Sequence, residues 1–310
     1  MTGSVEKRWV RLIDSRGWRR LLGSTTASRL RSTGAVRSLE TARRSAATRY
    51  ATRRAPGRFS EVDTLCVFIG HVKSGGSLVG SMLDAHPHAL VSDEVDLLRY
   101  VEAGFDREQL CHLIEKGSRR EAMKGRVTAR RLDPYSLAVP GSLQGRSADV
   151  RVLGDVRAGP TTRRLGEHPE LLDRLEEVMA PTEVRLVHVV RNPFDPISAM
   201  VRRGGRTFAD ATEDYAAQCR RLLRLRTAIP PERLLTVRYE EFTDDPRGRL
   251  AGLCTFLGLE LDAEHLEACA GVVQKGRPGE RTSVDWPEDA IVPVEALIES
   301  VPFLQGYRWP

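Results

Sequence analysis

The chain has 310 residues, of which 41% are hydrophobic and 29% are charged, and its formal net charge at pH 7 is +6. This length suits one large α/β domain or two small ones, and no apolar run is long enough to cross a bilayer. No signal-peptide pattern is visible. The five cysteines are scattered without metal-like spacing, which indicates reduced, mostly buried thiols and predicts a cytoplasmic location.

The charge is concentrated at the N-terminus. Residues 1–60 carry 15 basic and three acidic side chains, a net charge of +12, whereas residues 61–310 carry −6. We favour a solvated, partly helical tail for residues 1–60, with a boundary near residues 55–57. The alternatives are a surface for anionic membranes or acidic partners and an organelle transit peptide. Membrane contact is the weaker alternative, because the apolar residues from Trp9 to Leu22 scatter around a helical wheel.

From residue 64 onward, short apolar runs alternate with amphipathic segments. The predicted strands are 65–69, 151–154, 184–190 and 234–238, and the predicted helices are 77–85, 106–116, 169–179, 196–203, 208–226, 246–257 and 262–273. This alternation predicts a parallel sheet with helices on both faces and ligands at the carboxyl ends of the strands. Residues 117–149 are predicted to be an irregular excursion over the site. In helix 208–226, Tyr215, Cys219 and Leu222 recur at helical spacing, which indicates core packing.

A glycine-rich loop follows the first predicted strand. Residues 70–77, here called the glycine loop, read Gly-His-Val-Lys-Ser-Gly-Gly-Ser. They nearly fit the nucleotide loop G-x-x-x-x-G-K-[ST], but Gly76 stands where the lysine belongs and the lysine is at position 73. Glycines allow close backbone approach, and the N–H groups that open the next helix attract an anion. The loop therefore predicts a phosphate-ester site, the alternative being a connection that binds nothing.

A second motif follows the predicted strand 184–190. Arg191 leaves the sheet at its carboxyl edge, Pro193 and Pro196 suit the first turn of a helix, and Ser198 lies near that helix's N-terminus. An arginine, a hydroxyl and a helix dipole together predict another phosphate site. The alternative is a capped helix whose arginine pairs with a surface acid.

Together the two motifs resemble the sulfotransferase family that uses 3′-phosphoadenosine-5′-phosphosulfate (PAPS). Residues 73–77 are similar to that family's segment for the 5′-phosphosulfate, and residues 191–195 with Ser198 to its segment for the 3′-phosphate. Tyr239, followed by two glutamates, looks like the family's tyrosine near the nucleotide. Over residues 64–310 the resemblance implies a P-loop-like α/β fold, a central parallel sheet flanked by helices. It also implies direct, in-line sulfuryl transfer from PAPS to a hydroxyl or amine, with no metal.

The resemblance also implies residue roles. It assigns catalysis to Lys73 and to a base, Glu94, which follows Leu-x-x-His-Pro as in the glycan and tyrosyl-protein branch; Asp93 is the alternative base. Arg157 stands close to where related members carry a lysine. The nucleotide-binding set is Lys73, Ser74, Gly75, Gly76, Ser77, Leu78, Arg191, Ser198 and Tyr239, with Lys275 and Arg277 echoing the family's Arg-Lys-Gly tract.

Two other functions compete with sulfuryl transfer. An ATP-dependent small-molecule kinase would need a lysine at position 76, which is glycine. A non-catalytic protein that binds membranes or nucleic acid would depend on residues 1–60. We expect a small-molecule or glycan acceptor and no nucleic acid. The variable pocket segments, 95–149 and 202–212, do not reveal the acceptor, and the oligomeric state is not predicted.

Overall fold

A computed structural model describes residues 34–93, 95–127, 135–275 and 279–309 of the protein. The chain divides into two units, Met1–Ala51 and Thr52–Pro310. The described part of the first unit is helical and belongs to α1 (Gly34–Arg54), where Glu40 and Arg44 form an ion pair of 2.9 Å. Residues 1–33 of the predicted extension lie outside the described residues. No described helix combines the length and apolar character that a membrane span requires.

The second unit is built on one parallel sheet. Its strands are β1 (Thr64–Gly70), β2 (Ala89–Ser92), β3 (Val152–Asp155), β4 (Glu183–Val190) and β5 (Leu234–Arg238), in the order β2-β3-β1-β4-β5. All four pairings are parallel, which confirms the predicted sheet, and the four predicted strands agree with the structure to within one residue at each end. Strand β2 was not predicted: like β3 it has only four residues, and it directly follows the proline-containing segment 86–88, which is typical of a turn.

Eleven helices of the described chain follow β1. They are α2 (Gly76–Asp84), α3 (Leu97–Glu102), α4 (Arg107–Met123), α5 (Ala158–Glu167), α6 (Glu170–Met179), α7 (Phe194–Gly204), α8 (Phe208–Ala228), α9 (Tyr239–Asp244), α10 (Pro246–Leu257), α11 (Ala263–Val272) and α12 (Glu288–Ser300). All seven predicted helices are confirmed. Of the four that were not predicted, α3 and α9 have six residues each, α5 contains two glycines, and α12 contains an internal proline; glycine and proline both lower helix propensity.

One predicted boundary is wrong. Helix α4 begins at the capping box of Asp106 and Gln109 but continues to Met123, so the first seven residues of the predicted irregular segment 117–149 are helical. Gly117 allows α4 to pack closely against β2, because a Cβ on residue 117 would lie 2.7 Å from the Cβ of Ser92. The glycine that suggested a loop instead lets the helix pass close to the sheet.

Side chains of β1 alternate between two hydrophobic clusters on the two faces of the sheet. Leu65, Val67 and Ile69 join the cluster that includes α4, α6, α8 and α12, while Cys66 and Phe68 join the cluster of α2, α10 and α11. Burying both faces removes a large apolar area from water and fixes the strand register. All five cysteines are buried, free thiols.

The strand register aligns the carboxyl ends of the sheet. Gly70 at the end of β1 pairs with Val189, and Val190 pairs with Arg238. On the other side, Val67 pairs with Asp155, which in turn pairs with Ser92. Segments that follow the five strands therefore emerge side by side, which is where a parallel sheet holds its ligands.

Candidate active site

The glycine loop connects β1 to the N-terminus of α2. Lys73 and Gly75 both have a left-handed backbone, with φ of +68° and +98°. Ser74 between them is only 2% exposed, and its hydroxyl has no hydrogen-bond partner within the part of the chain that the structure describes. A buried, unpartnered hydroxyl next to a helix N-terminus suits an anionic oxygen of a ligand.

Glycine is required in this loop by close neighbours. A Cβ on Gly75 would lie 2.2 Å from Cδ2 of Tyr239, and a Cβ on Gly76 would lie 3.1 Å from Cγ1 of Val156. The aromatic ring of Tyr239, which begins α9 after β5, thus packs directly on the loop backbone. Val156 directly follows β3 and Tyr239 directly follows β5, so residues distant in sequence pack against the loop.

His71 holds the loop from behind. Its ring stacks on the ring of Tyr215 in α8 with centroids 3.7 Å apart, and its Nε2 lies 3.1 Å from the Tyr215 carbonyl oxygen. Burial lowers the pKa of His71 to about 4, so the imidazole is neutral near pH 7. The sequence motif did not assign a role to His71. The structure shows that His71 anchors the glycine loop to Tyr215 of α8.

Arg191 leaves β4 at the other side of the loop. Its Nε donates to Oδ2 of Asp195 over 2.9 Å, and its guanidinium carbon lies 4.3 Å from the ring centre of Tyr239. Asp195 also accepts from Arg281, at 2.8 Å from the guanidinium and 2.9 Å from the backbone N–H. One buried carboxylate therefore holds two arginines.

Glu240 ties the end of β4 to the C-terminal segment. Its carboxylate accepts from the Asn192 N–H at 2.9 Å and from the Tyr307 hydroxyl at 2.7 Å. The Asn192 side chain in turn donates to the Arg308 carbonyl oxygen at 3.0 Å. These bonds fix the backbone that presents Arg191.

The ends of β2 and β3 form the opposite wall. Oδ1 of Asp93 accepts from the Ser77 hydroxyl at 2.9 Å, which joins the end of β2 to α2. Asp155 is buried and accepts from the N–H groups of Val95 and Leu97 at 3.2 and 3.0 Å. Burial raises the pKa of Asp155 to about 6. This carboxyl group holds the backbone of residues 95–97, shortly after β2 and Asp93.

These strand ends enclose a cavity of about 450 Å³. Its basic side chains are Lys73, Arg157, Arg191 and Arg203, and a concave site with several cations favours an anionic ligand. The lining residues are His71, Val72, Lys73, Gly75, Gly76, Ser77, Leu78, Asp93, Tyr135, Val156, Arg157, Ala158, Gly159, Pro160, Arg191, Arg203, Tyr239 and Glu280.

Most of the predicted site residues meet at this cavity. Lys73, Gly75, Gly76, Ser77, Leu78, Arg191 and Tyr239 line it, as do Asp93 and Arg157. Ser74 is 2% exposed and is not among the lining residues. Ser198 does not line the cavity either: it is fully buried, and its hydroxyl oxygen accepts from Nε1 of Trp286 at 2.9 Å. Lys275 is exposed and does not line the cavity either. Glu94 and Arg277 lie outside the described residues, so their roles stay predictions.

Several residues of the site were not singled out from the sequence. Tyr135 and Arg203 fall within the predicted pocket segments 95–149 and 202–212, but nothing marked them individually. Glu280 accepts from Arg203 at 2.5 Å and also pairs with Arg202, which closes the cavity edge near Arg191. The sequence feature that could have identified Arg203 is the pair Arg202-Arg203, which lies shortly after the second motif.

The histidines near Pro87 do not form a metal site. Nε2 of His86 lies 3.0 Å from the Glu260 carbonyl oxygen, and its Nδ1 accepts from the His88 N–H at 3.1 Å. Both ring nitrogens of His86 are therefore occupied. Within the described ranges, no group of three or more His, Cys, Asp or Glu side chains is arranged to hold a metal ion.

Comparison with known proteins identifies the family of this chain. A model of the sulfotransferase family matches residues 67–263. No curated protein sequence matches the chain. Among solved structures, the sulfotransferase domain from the curacin biosynthetic pathway is 18% identical, covering 80% of this chain and 99% of that one, with a TM-score of 0.51.

Two further structures are similar at lower scores. The sulfotransferase domain from the Synechococcus PCC 7002 olefin synthase is 22% identical and covers 81% of this chain and 97% of that one, with a TM-score of 0.49. Mouse sulfotransferase SULT7A1, complexed with PAP (adenosine 3′,5′-bisphosphate), is 13% identical. It covers 81% of this chain and 87% of that one, with a TM-score of 0.42. The family match spans well over half of the chain and includes the glycine loop, Arg191 and Tyr239. The protein belongs to the sulfotransferase family.

Proposed function

We propose that the protein transfers a sulfuryl group from PAPS directly to a hydroxyl or amine of a small-molecule or glycan acceptor. The observation that carries this proposal is the arrangement of the glycine loop and Arg191 across one cavity, with the ring of Tyr239 packed against both. A donor with phosphate groups at two positions needs two separate cationic sites, and this cavity offers them.

The glycine loop is the proposed site of the 5′-phosphosulfate. Lys73 supplies a point charge, the N-terminus of α2 supplies N–H groups, and the unpartnered Ser74 hydroxyl supplies another donor. These groups stabilise the negative charge that develops on the departing phosphate. The absence of a lysine at position 76 argues for this donor over a nucleoside triphosphate.

Arg191 is the proposed ligand of the 3′-phosphate. Its fork is oriented by Asp195 on one side and by the Tyr239 ring on the other, which prepares it for bidentate contact. Arg281 shares the same carboxylate and is the nearest second cation. Ser198, Lys275 and Arg277 remain proposed members of this subsite on the family resemblance.

The sheet order indicates where the acceptor enters. The donor extends from the loop after β1 toward β4 and β5, so the remaining space lies toward β3 and β2. That side is lined by Asp93, Tyr135, Val156, Arg157 and Pro160. It combines apolar surface with one cation and one carboxylate, as small-molecule sites commonly do.

Glu94 is the proposed general base. The acceptor oxygen or nitrogen bonds to sulfur as the bond from sulfur to the 5′-phosphate oxygen breaks, and the acceptor proton passes to Glu94. The products are the sulfated acceptor and adenosine 3′,5′-bisphosphate (PAP). Asp93 is the alternative base, and its bond to Ser77 gives it a role in holding the end of β2.

Calorimetry with PAP tests the donor site. We expect the protein to bind PAP and the variants Lys73→Ala and Arg191→Ala to bind it ten- to a hundredfold more weakly, because each loses a charge-assisted contact of about 1.5–3 kcal/mol. Arg220→Ala is the matched control, since Arg220 pairs with Glu213 on exposed surface. Failure to bind PAP, or equal binding by all variants, would refute the donor assignment, and tight ATP binding would favour the kinase alternative.

Turnover tests the base. With radiolabelled PAPS and a panel of phenol, amine and sugar acceptors, Glu94→Gln should lower turnover by a factor of 100 or more, the contribution of a positioned base. Asp93→Asn should lower it less, because the amide oxygen of asparagine can still accept the hydrogen bond from Ser77. Full turnover by Glu94→Gln would transfer the assignment to Asp93 or to another group.

A further inference from the structure

One face of α8 lies directly behind the glycine loop. Tyr215, Gln218 and Cys219 are spaced three and four residues apart, so they share this face, and all three are buried. The helical spacing predicted ordinary core packing here. The structure adds that polar atoms of this face contact the glycine loop. The Tyr215 carbonyl oxygen contacts His71, and the Gln218 side chain contacts the Gly70 carbonyl oxygen.

The Gln218 side chain joins two segments of the site. Its Nε2 donates to the Gly70 carbonyl oxygen at 3.1 Å and to the Gly159 carbonyl oxygen at 2.9 Å. A side-chain amide has two N–H donors, and both are used. Because both partners are carbonyl oxygens, only the nitrogen can face them, so the orientation of the amide is chemically determined.

The two segments carry different parts of the site. Gly70 is the last residue of β1 and precedes the loop of Lys73, whereas Gly159 lines the cavity in the first turn of α5, two residues after Arg157. A Cβ on Gly159 would lie 2.6 Å from Cγ1 of Val72, so the segments are in close contact. Thr162 adds a second link, accepting from the Gly70 N–H at 2.8 Å.

We propose that Gln218 is a positioning residue for donor binding, whose amide holds the glycine loop and the start of α5 in the arrangement that receives the phosphosulfate. It acts through the backbone of Gly70 and Gly159. Thr162 also donates to the Gly70 carbonyl oxygen at 3.3 Å, whereas Gln218 bonds to both carbonyl groups. This inference rests on the proposed function of the cavity.

Two substitutions separate the effect of the Gln218 hydrogen-bond donors from the effect of the side chain's size. Gln218→Met keeps the length of the side chain but removes both donors. Gln218→Glu removes both donors at neutral pH and regains one when the buried carboxyl is protonated. The titratable groups that face this position are the neutral His71 and Arg221, whose Nη1 lies 3.5 Å from Oε1 of Gln218 and which pairs with Glu167.

The measurements are PAP affinity by calorimetry between pH 8 and pH 5.5 and amide hydrogen exchange of residues 70–76 and 158–162. We expect Gln218→Met to bind PAP at least tenfold more weakly than the unaltered protein at every pH, with faster exchange in both segments. The deficit of Gln218→Glu should shrink from at least tenfold at pH 8 to threefold or less at pH 5.5. Leu225→Ala, which truncates a buried side chain two turns further along α8, is the control for destabilisation.

The proposal is overturned if Gln218→Met binds PAP within threefold of the unaltered protein, if Leu225→Ala weakens binding equally, or if the Gln218→Glu deficit does not change with pH. Exchange in residues 70–76 that is unchanged by Gln218→Met also overturns it. If the unaltered protein itself does not bind PAP, the proposed donor is wrong, and the exchange measurement still decides whether Gln218 holds the two segments.

Discussion

Replacing Gly75 by alanine tests the close packing of the glycine loop. Gly75 has φ of +98° and ψ of 7°, a left-handed conformation that costs an alanine about 1–2 kcal/mol. The added methyl carbon would also lie 2.2 Å from Cδ2 of Tyr239, well inside van der Waals contact. The ring must therefore move, and its stacking under Arg191 must change with it.

Gly258 offers a matched control for the backbone part of this cost. It ends α10 with φ of +78° and ψ of 19°, and an added Cβ meets nothing within 4 Å. Gly258→Ala should lose about 1–2 kcal/mol of unfolding free energy from strain alone. Gly75→Ala should lose that amount and, because the cation–π contact contributes about 0.5–2 kcal/mol, should also weaken the donor site.

Urea unfolding and calorimetry with PAP separate the two effects. We expect both variants to be destabilised, but only Gly75→Ala to bind PAP at least tenfold more weakly, while Gly258→Ala stays within twofold of the unaltered protein. A ten- to hundredfold loss of affinity corresponds to about 1.4–2.8 kcal/mol. This is the combined free-energy cost that we expect from displacing the Tyr239 ring and distorting the loop. Unchanged PAP affinity in Gly75→Ala would refute the idea that Tyr239 and the loop backbone form one donor site.

Three further predictions concern the ring, the buried ion pair and the pH dependence of stability. Tyr239→Leu should bind PAP about fivefold more weakly in calorimetry, a loss of about 1 kcal/mol, whereas Tyr239→Phe keeps the stacking face and should bind normally; equal losses would contradict this. Arg126→Met should lower the unfolding free energy by about 3–5 kcal/mol, because it leaves Asp84 buried without its ion-pair partner; a loss below 1 kcal/mol in urea titrations would show that the pair is dispensable. Because burial lowers the pKa of His71 to about 4, the unfolded chain binds a proton there between pH 6.5 and 4 that the folded chain does not, so the contribution of His71 to stability falls by about 3 kcal/mol as pH falls through that window. The pKa of Asp155, raised to about 6, acts in the opposite sense between pH 4 and 6 and offsets most of this loss in the unaltered protein, so as pH falls the urea midpoint should fall in Asp155→Asn and rise in His71→Gln; parallel curves for the two variants would contradict both assignments.

The sheet and the two motifs could be predicted because their signals are local. Strand β1 is a seven-residue buried run that ends at Gly70, with Gly75 and Gly76 in the loop after it, and Arg191 is followed four residues later by its partner Asp195. Such patterns appear within one window of sequence. Strand β2 has four residues directly after the segment His86-Pro87-His88, and this turn-like context hid it.

The rest of the site depends on contacts between distant residues. Tyr239 packs on Gly75 and Gln218 bonds to Gly70 and Gly159, but no spacing along the chain relates these positions. The three-dimensional register of the sheet brings them together. The same holds for Arg281, which reaches Asp195 from beyond α11.

The shared carboxylate of Asp195 has a consequence for the thermodynamics of donor binding. Arg191 is restricted by Asp195 and Tyr239 in the free protein, so most of its side-chain rotamer entropy is lost during folding and little remains to be lost when a phosphate arrives. Arginines that must be ordered by their ligand bind with a larger entropic penalty. With Arg191 as the proposed ligand of the 3′-phosphate, the free energy of folding and the affinity for the donor are coupled through one aspartate.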